Sequence, residues 1–178
     1  EATPEFVGQE LDCIFGDIFP DAVKIGMVSN GKIIEVIADK LVQYGAKNIV
    51  VDPVMVSTSG SRLIDDNALK MLTEKLLPLG TVITPNIPEA EVLCGFSIKG
   101  EKDMERAGEI IGRHTNTAVL VKGGHLISDA ADLMYKEGRL YWYREERVNN
   151  PNTHGTGCTL SAAIACNLAD GKNLDESI

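Results

Sequence analysis

No run of apolar residues in this sequence approaches the roughly 20 needed to cross a membrane, and its first residues, Glu-Ala-Thr-Pro-Glu-Phe, hold neither the basic segment nor the apolar stretch of an export signal. Neither a membrane partner nor secretion is expected. Cysteine is sparse and scattered: Cys13, Cys94, Cys158 and Cys166 form no C-x-x-C pair, and His114, His125 and His154 lie far apart. A zinc site or disulfide framework is therefore not expected, and a reducing cytoplasm fits best. Positive charge is in deficit, 17 Lys and Arg against 26 Asp and Glu for a formal net charge of −9, which gives no long-range attraction for nucleic acid. An anionic ligand would have to be held by a local site. Missing too are the G-x-x-x-x-G-K-[S/T] loop and the third glycine of G-x-G-x-x-G. There is no internal repeat, low-complexity tract or linker, so residues 1–178 read as one domain.

What is present is an aliphatic composition, 44% hydrophobic with 5% aromatic residues, suited to a globular core. Short runs of β-branched and aliphatic residues at Val23–Val28, Asn48–Met55, Thr81–Thr84 and Ala118–Lys122 each end in a turn or breaker. Being apolar throughout, they predict parallel strands buried on both faces. Helical periodicity fills the intervals, at about residues 31–44, 65–77, 88–94 and 102–114, as in Ile33, Ile34, Ile37 and Leu41. Alternation of this kind predicts right-handed βαβ crossovers and a three-layer α/β/α domain with a mostly parallel sheet. Residues 132–148 instead predict an antiparallel edge hairpin turning at Glu137-Gly138. The chain opens in an amphipathic helical pattern without Met and stops inside another at Asp-Glu-Ser-Ile, so both ends read as cut.

In open α/β sheets ligands bind beyond the carboxyl ends of the strands, which directs attention to the residues just after each one. Asn152-Thr153-His154-Gly155-Thr156-Gly157-Cys158 leads into a small-residue helix ending near Gly171. Two glycines around a threonine at a helix start let backbone N–H groups converge into an anion cradle. Cys158, in the first turn, would be favoured there as a thiolate able to take a proton from a hydroxyl; it would serve equally as a small buried hydrophobe, with the glycines allowing close packing.

At the other strand ends, Asn86-Ile87-Pro88-Glu89 is a ready-made capping box, and the same residues could aim an amide at phosphate and a carboxylate at magnesium. Asp52-Pro53-Val54-Met55 is either a turn opener or a carboxylate directed at a metal ion or a reacting hydroxyl. Lys122 ends a strand before Gly123 and Gly124, where it could contact phosphate or extend into solvent. Gly26 and Met27 could wall a ring pocket or pack in the core. An anion cradle, a cation, carboxylates and a proton acceptor are the parts that phosphoryl transfer needs.

The ordered series Lys-Ile-Gly-Met at 24, Asp-Pro-Val-Met at 52, Thr-Pro-Asn-Ile-Pro-Glu-Ala at 84, Val-Lys-Gly-Gly-His at 121 and Asn-Thr-His-Gly-Thr-Gly-Cys at 152 resembles the hydroxymethylpyrimidine and phosphomethylpyrimidine kinases of thiamine biosynthesis, in the ribokinase superfamily. The resemblance runs from Phe6 to the last residue. It implies a ribokinase-like fold, ATP as co-substrate with Mg2+, a small heteroaromatic alcohol as acceptor, two successive phosphorylations, and a homodimer. By the same resemblance Cys158 is the catalytic base, and Gly155, Thr156 and Gly157 form the anion hole. Lys122, Asn86 and Thr156 then contact ATP phosphates, Asp52 and Glu89 serve the metal, and Gly26, Met27 and Val54 line the ring pocket. Cysteine at the base position is shared with a group of pyridoxal kinases, which supply the alternative activity. The family's glycine-rich amino-terminal segment, its pyrimidine-reading glutamine and a carboxyl-terminal helical stretch would lie outside this sequence.

Overall fold

A computed structural model describes residues 2–56, 62–124, 130–145 and 155–178. His125, residues 146–148 of the expected hairpin, and Asn152, Thr153 and His154 of the glycine-containing motif lie outside the described residues.

Helix α1 (Pro4–Asp17) starts at Thr3, whose hydroxyl accepts from the Phe6 N–H at 3.2 Å. Strand β1 (Val23–Ile25) leads to α2 (Gly31–Tyr44), which is capped by Asn30 Oδ1 and stopped by Gly45 in the left-handed region at φ 61°. Asp12 ties these two helices together, accepting from Lys40 Nζ at 2.6 Å and from the Tyr44 hydroxyl at 2.7 Å. Next come β2 (Ile49–Val51), α3 (Asp66–Met71), β3 (Val82–Ile83), α4 (Ile87–Cys94), α5 (Glu101–Thr115) and β4 (Ala118–Val121). Strands β5 (Ala130–Lys136) and β6 (Arg139–Glu145) form the hairpin, and α6 (Thr156–Ala169) and α7 (Leu174–Ser177) close the chain.

The sheet runs in the order β1-β2-β3-β4-β5-β6, the first four strands parallel and the last two antiparallel, as the sequence predicts. The expected helix over 65–77 differs. It is α-helical only to Met71, then widens to a π turn at Leu72–Leu76 and tightens to 3-10 at Leu77–Leu79. Pro78 accounts for the change near its end, since it has no N–H to give to the carbonyl four residues back.

Strand alternation sorts the core into two layers. Ile25, Ile49, Val51, Ile83, Val119 and Val121 share a cluster with Ile34, Leu41, Met104 and Ile111 of the helices on one face. Val50, Val82, Ala118 and Leu120 point the other way and pack with Ile164, Ala165 and Leu168 of α6. Burying a leucine or isoleucine in that second layer contributes about 2 kcal/mol, which sets α6 firmly against the sheet. The result is a three-layer α/β/α domain. No helix among the described residues is long and apolar enough to cross a membrane.

Candidate active site

The alternation that buries Val50, Val82 and Leu120 under α6 continues past the strand ends, so Asp52, Thr84 and Lys122, two residues further along each chain, emerge on the same face beside the start of α6. Asp52 is 2% exposed and sits at the centre. Its Oδ1 accepts from Lys122 Nζ at 2.9 Å and from the Thr84 hydroxyl at 3.2 Å. Its Oδ2 accepts from the Ser161 hydroxyl of α6 at 3.4 Å and lies 4.0 Å from Lys24 Nζ, which comes from the same face of β1. Two ammonium groups and two hydroxyls thus converge on one buried carboxylate.

Lys122 is 15% exposed and does not run out to solvent. Its Nζ lies so close to the first turn of α6 that a Cβ on Gly157 would stand 2.9 Å from it. That helix begins at Gly155, in the left-handed region at φ 83°, so the cap residue brings no side-chain acceptor to the first-turn N–H groups. Thr159 N closes onto the Gly155 carbonyl at 2.9 Å. A cation beside the positive end of a helix is unfavourable in isolation and is offset here by Asp52; together they form a surface for an anion. Cys158 projects from that turn and is exposed, so it is not the small core hydrophobe that its chemistry also allowed.

Asn86 and Glu89 make the capping box in full: Asn86 Oδ1 accepts from Glu89 N, and a Glu89 oxygen accepts from Asn86 N, both at 2.9 Å. Pairing of Asn86 with Lys122 across the β3 and β4 extensions, with Lys122 N on the Pro85 carbonyl at 2.8 Å, brings this box to the rim of the cluster. Glu89 is only 2% exposed. Burial pushes its carboxyl up to about 7, and Asp52 adds to the rise, against the lowering by the Asn86 and Met55 N–H groups and by Lys122.

The remaining sequence candidates fall around this centre. Met27 is 54% exposed, which sets aside core packing as its role, and Val54 is half-buried after Pro53, its N–H turned back onto the Asp52 carbonyl at 2.8 Å. Gly26 lies under the Lys24 ammonium, 2.7 Å from where its Cβ would be. Gly123 is explained by packing, since a Cβ there would collide with the Ala131 carbonyl, and its N–H is held by Asp132 Oδ1 at 2.9 Å. Sequence reasoning missed Lys24, Thr84 and Ser161. Strand parity was the available signal for the first two: each stands two residues from a site or core position on the α6 face.

The family model of phosphomethylpyrimidine kinase matches residues 1–178. The chain belongs to that family. Among curated members, the hydroxymethylpyrimidine/phosphomethylpyrimidine kinase of Rhizobium meliloti is 47% identical over 180 residues, covering 100% of this chain and 67% of that protein. The crystal structure of phosphomethylpyrimidine kinase from Clostridium difficile superposes with a TM-score of 0.87 at 41% identity, covering 99% of this chain and 72% of that one. Pyridoxal kinase of Bacillus subtilis, solved as an ADP complex, superposes with a TM-score of 0.93 at 34% identity over 99% of this chain and 67% of that one. The fold is the ribokinase-like one of these kinases. The chain spans from 36% to 67% of the length of the first curated relatives it matches.

Proposed function

We propose that the protein transfers the γ-phosphoryl group of ATP to the hydroxymethyl group of 4-amino-5-hydroxymethyl-2-methylpyrimidine, and then to the resulting monophosphate to give the diphosphate, in thiamine biosynthesis. The observation that carries this reading is the Lys122–Asp52 pair set against the glycine-capped start of α6, with Cys158 exposed in its first turn. Lys122 and the backbone N–H groups of Gly155, Thr156 and Gly157 hold the transferring phosphate, and the Asn86 side-chain NH2, which the cap bond does not use, faces ATP with Thr156. In the first step the Cys158 thiolate takes the alcohol proton while the alcohol oxygen attacks the γ-phosphorus, and ADP departs with the bridging oxygen. Gly26, Met27 and Val54 receive the ring.

Glu89 fits a water-bridged magnesium ion, because two backbone donors leave lone pairs on its carboxylate and its burial makes a nearby cation favourable. Asp52 has both oxygens engaged by protein donors, so its part in the metal site is charge felt across the cluster, conveyed through Lys122 or water. Magnesium, when bound, neutralises charge on the phosphate oxygens. We place the enzyme in the cytoplasm as a homodimer, on the family resemblance.

The test compares the hydroxymethylpyrimidine with pyridoxal under ATP, with magnesium present or withheld. Faster, magnesium-dependent conversion of the pyrimidine through mono- to diphosphate is expected. Preference for pyridoxal would transfer the assignment to the cysteine-bearing pyridoxal kinases, which the similarity to the Bacillus subtilis structure favours as the second reading.

A further inference from the structure

The two lysines of the cluster are not equivalent. Lys122 has a hydrogen bond to Asp52 and lies against the start of α6. Lys24 is 24% exposed, and its ion-pair partner among the described residues is Asp52 at 4.0 Å, without a hydrogen bond. A half-buried ammonium ordinarily acquires stronger partners than this, because its desolvation must be offset. Charge points the same way. Among the described residues one carboxylate, Asp52, faces two ammonium groups, and the α6 N-terminus adds about half a positive charge. The cluster as it stands is short of negative charge.

The Lys24 ammonium lies over Gly26, which precedes exposed Met27 in the chain, and both are residues that the proposed reading gives to the ring. Lys122 faces the other Asp52 oxygen and the helix start. One cation is thus on the donor side and one on the acceptor side. A neutral hydroxymethyl acceptor makes no use of the second. A monophosphate acceptor does, since it carries about −1.5 to −2 charge at pH 7 and must approach another polyanion.

We infer that Lys24 binds the phosphate of the acceptor in the second phosphorylation, and so sets the enzyme's ability to act on a heteroaromatic phosphomonoester as well as on the parent alcohol. This rests on the proposed two-step kinase reading. In that step an oxygen of the acceptor phosphate attacks the γ-phosphorus of ATP. The new P–O–P bond forms as the bond to the β,γ-bridging oxygen breaks, and ADP leaves with that electron pair. With its second pKa near 6, the acceptor is already ionised at pH 7 and has no proton to surrender. The two steps therefore differ in need: the first requires a base and the second a cation.

The experiment measures kcat/KM for the alcohol and for the monophosphate separately, in the wild-type full-length protein and in Lys24→Gln, Lys24→Met, Lys24→Arg and Cys158→Ala. In Lys24→Gln the ratio of second-step to first-step kcat/KM is expected to fall about 10- to 100-fold, mainly through KM for the monophosphate. Lys24→Met keeps the packing of the stem and is expected to behave alike if the amide variant folds poorly, while Lys24→Arg recovers most of the ratio. Cys158→Ala is expected to move the ratio in the opposite direction. Equal losses in both steps, or an unchanged ratio in folded Lys24 variants, would overturn the inference while leaving the kinase reading intact. Wild-type protein that turns over neither acceptor would reject the kinase reading and this inference with it.

Discussion

Lys122 and Asp52, 70 residues apart in sequence, meet at 2.9 Å between Nζ and Oδ1 with side chains only 15% and 2% exposed, and so join the ends of β4 and β2 under α6. Removing one member of such a pair leaves a buried charge uncompensated. Lys122→Ala is expected to cost about 3 kcal/mol, at the low end for buried pairs because Thr84, Ser161 and Lys24 still face Asp52. The double variant Asp52→Asn with Lys122→Met should lose less than the sum of the single losses, measured by urea denaturation. Calorimetric titration of Lys122→Ala should show nucleotide affinity falling more than affinity for the pyrimidine; equal losses would mean that the lysine acts through folding alone.

Glu89 gives the stability a pH dependence that can be isolated. Its carboxyl is raised from 4.5 to about 7 in the folded chain, so the folded state binds the extra proton between those values. The corresponding stability, on the order of 3 kcal/mol, is present at the acid end and is lost as pH rises through about 7. Asp12 and Glu101 act in the opposite sense: Lys40 and Arg144 hold them below their ordinary values, and their contribution disappears only as pH falls through the lower carboxylate range. Subtracting the denaturation profile of Glu89→Gln from that of the wild type between pH 5 and 8 should therefore leave a declining curve. A flat difference would place Glu89 in water rather than in the core. Magnesium added at pH 8 should stabilise the wild type more than Glu89→Gln.

Much of this architecture was legible in the residues. Apolar runs marked all four parallel strands, and Glu137-Gly138 marked the hairpin turn, where both residues have positive φ, 51° and 79°, as the tight two-residue connection requires. Asn86 and Glu89 announced their cap by spacing alone. What could not be read was register. Whether Asp52 finds Lys122, Lys24, Thr84 or Ser161 depends on how far each strand runs and which face α6 covers, and those are set by packing among segments distant in sequence. The strands also stop earlier than their apolar runs: β2 ends at Val51 although Val54 and Met55 continue the pattern, because Pro53 has no N–H for the ladder. The expected helix over 65–77 is present but changes type along its length, and Pro78 marks its tightened 3-10 end for a local reason of the same kind.

Cys158 stands exposed in the first turn of α6, turned away from the core, as the proposed role of proton acceptor requires. Cys158→Ala should leave nucleotide binding close to that of the wild type and lower the turnover of the hydroxymethyl substrate by about 100-fold to 10,000-fold, the usual range for a general base. Cys158→Ser tests the same point with a hydroxyl that ionises far less readily, and should rescue little. An unchanged single-turnover rate in Cys158→Ala would remove the thiolate from the mechanism.

Two glycines face the same substitution with opposite expected results. At Gly112 a Cβ would fall against the Tyr135 ring and stand 3.2 Å from the Thr117 carbonyl, in a layer where neither neighbour can move without disturbing the contact of α5 with β5. Gly112→Ala is expected to cost about 1 to 3 kcal/mol, as overpacking does. At Gly157 the obstacle is the Lys122 ammonium, 2.9 Å away at the far end of a flexible side chain, and alanine is otherwise the better helix former. Gly157→Ala should thus leave the thermal midpoint within a few degrees of the wild type, an effect below about 1 kcal/mol, while raising KM for ATP by displacing the lysine from the helix start. Loss of stability at Gly157 as large as at Gly112 would mean that Lys122 is fixed by packing, and the cation would then be a structural post rather than a phosphate ligand.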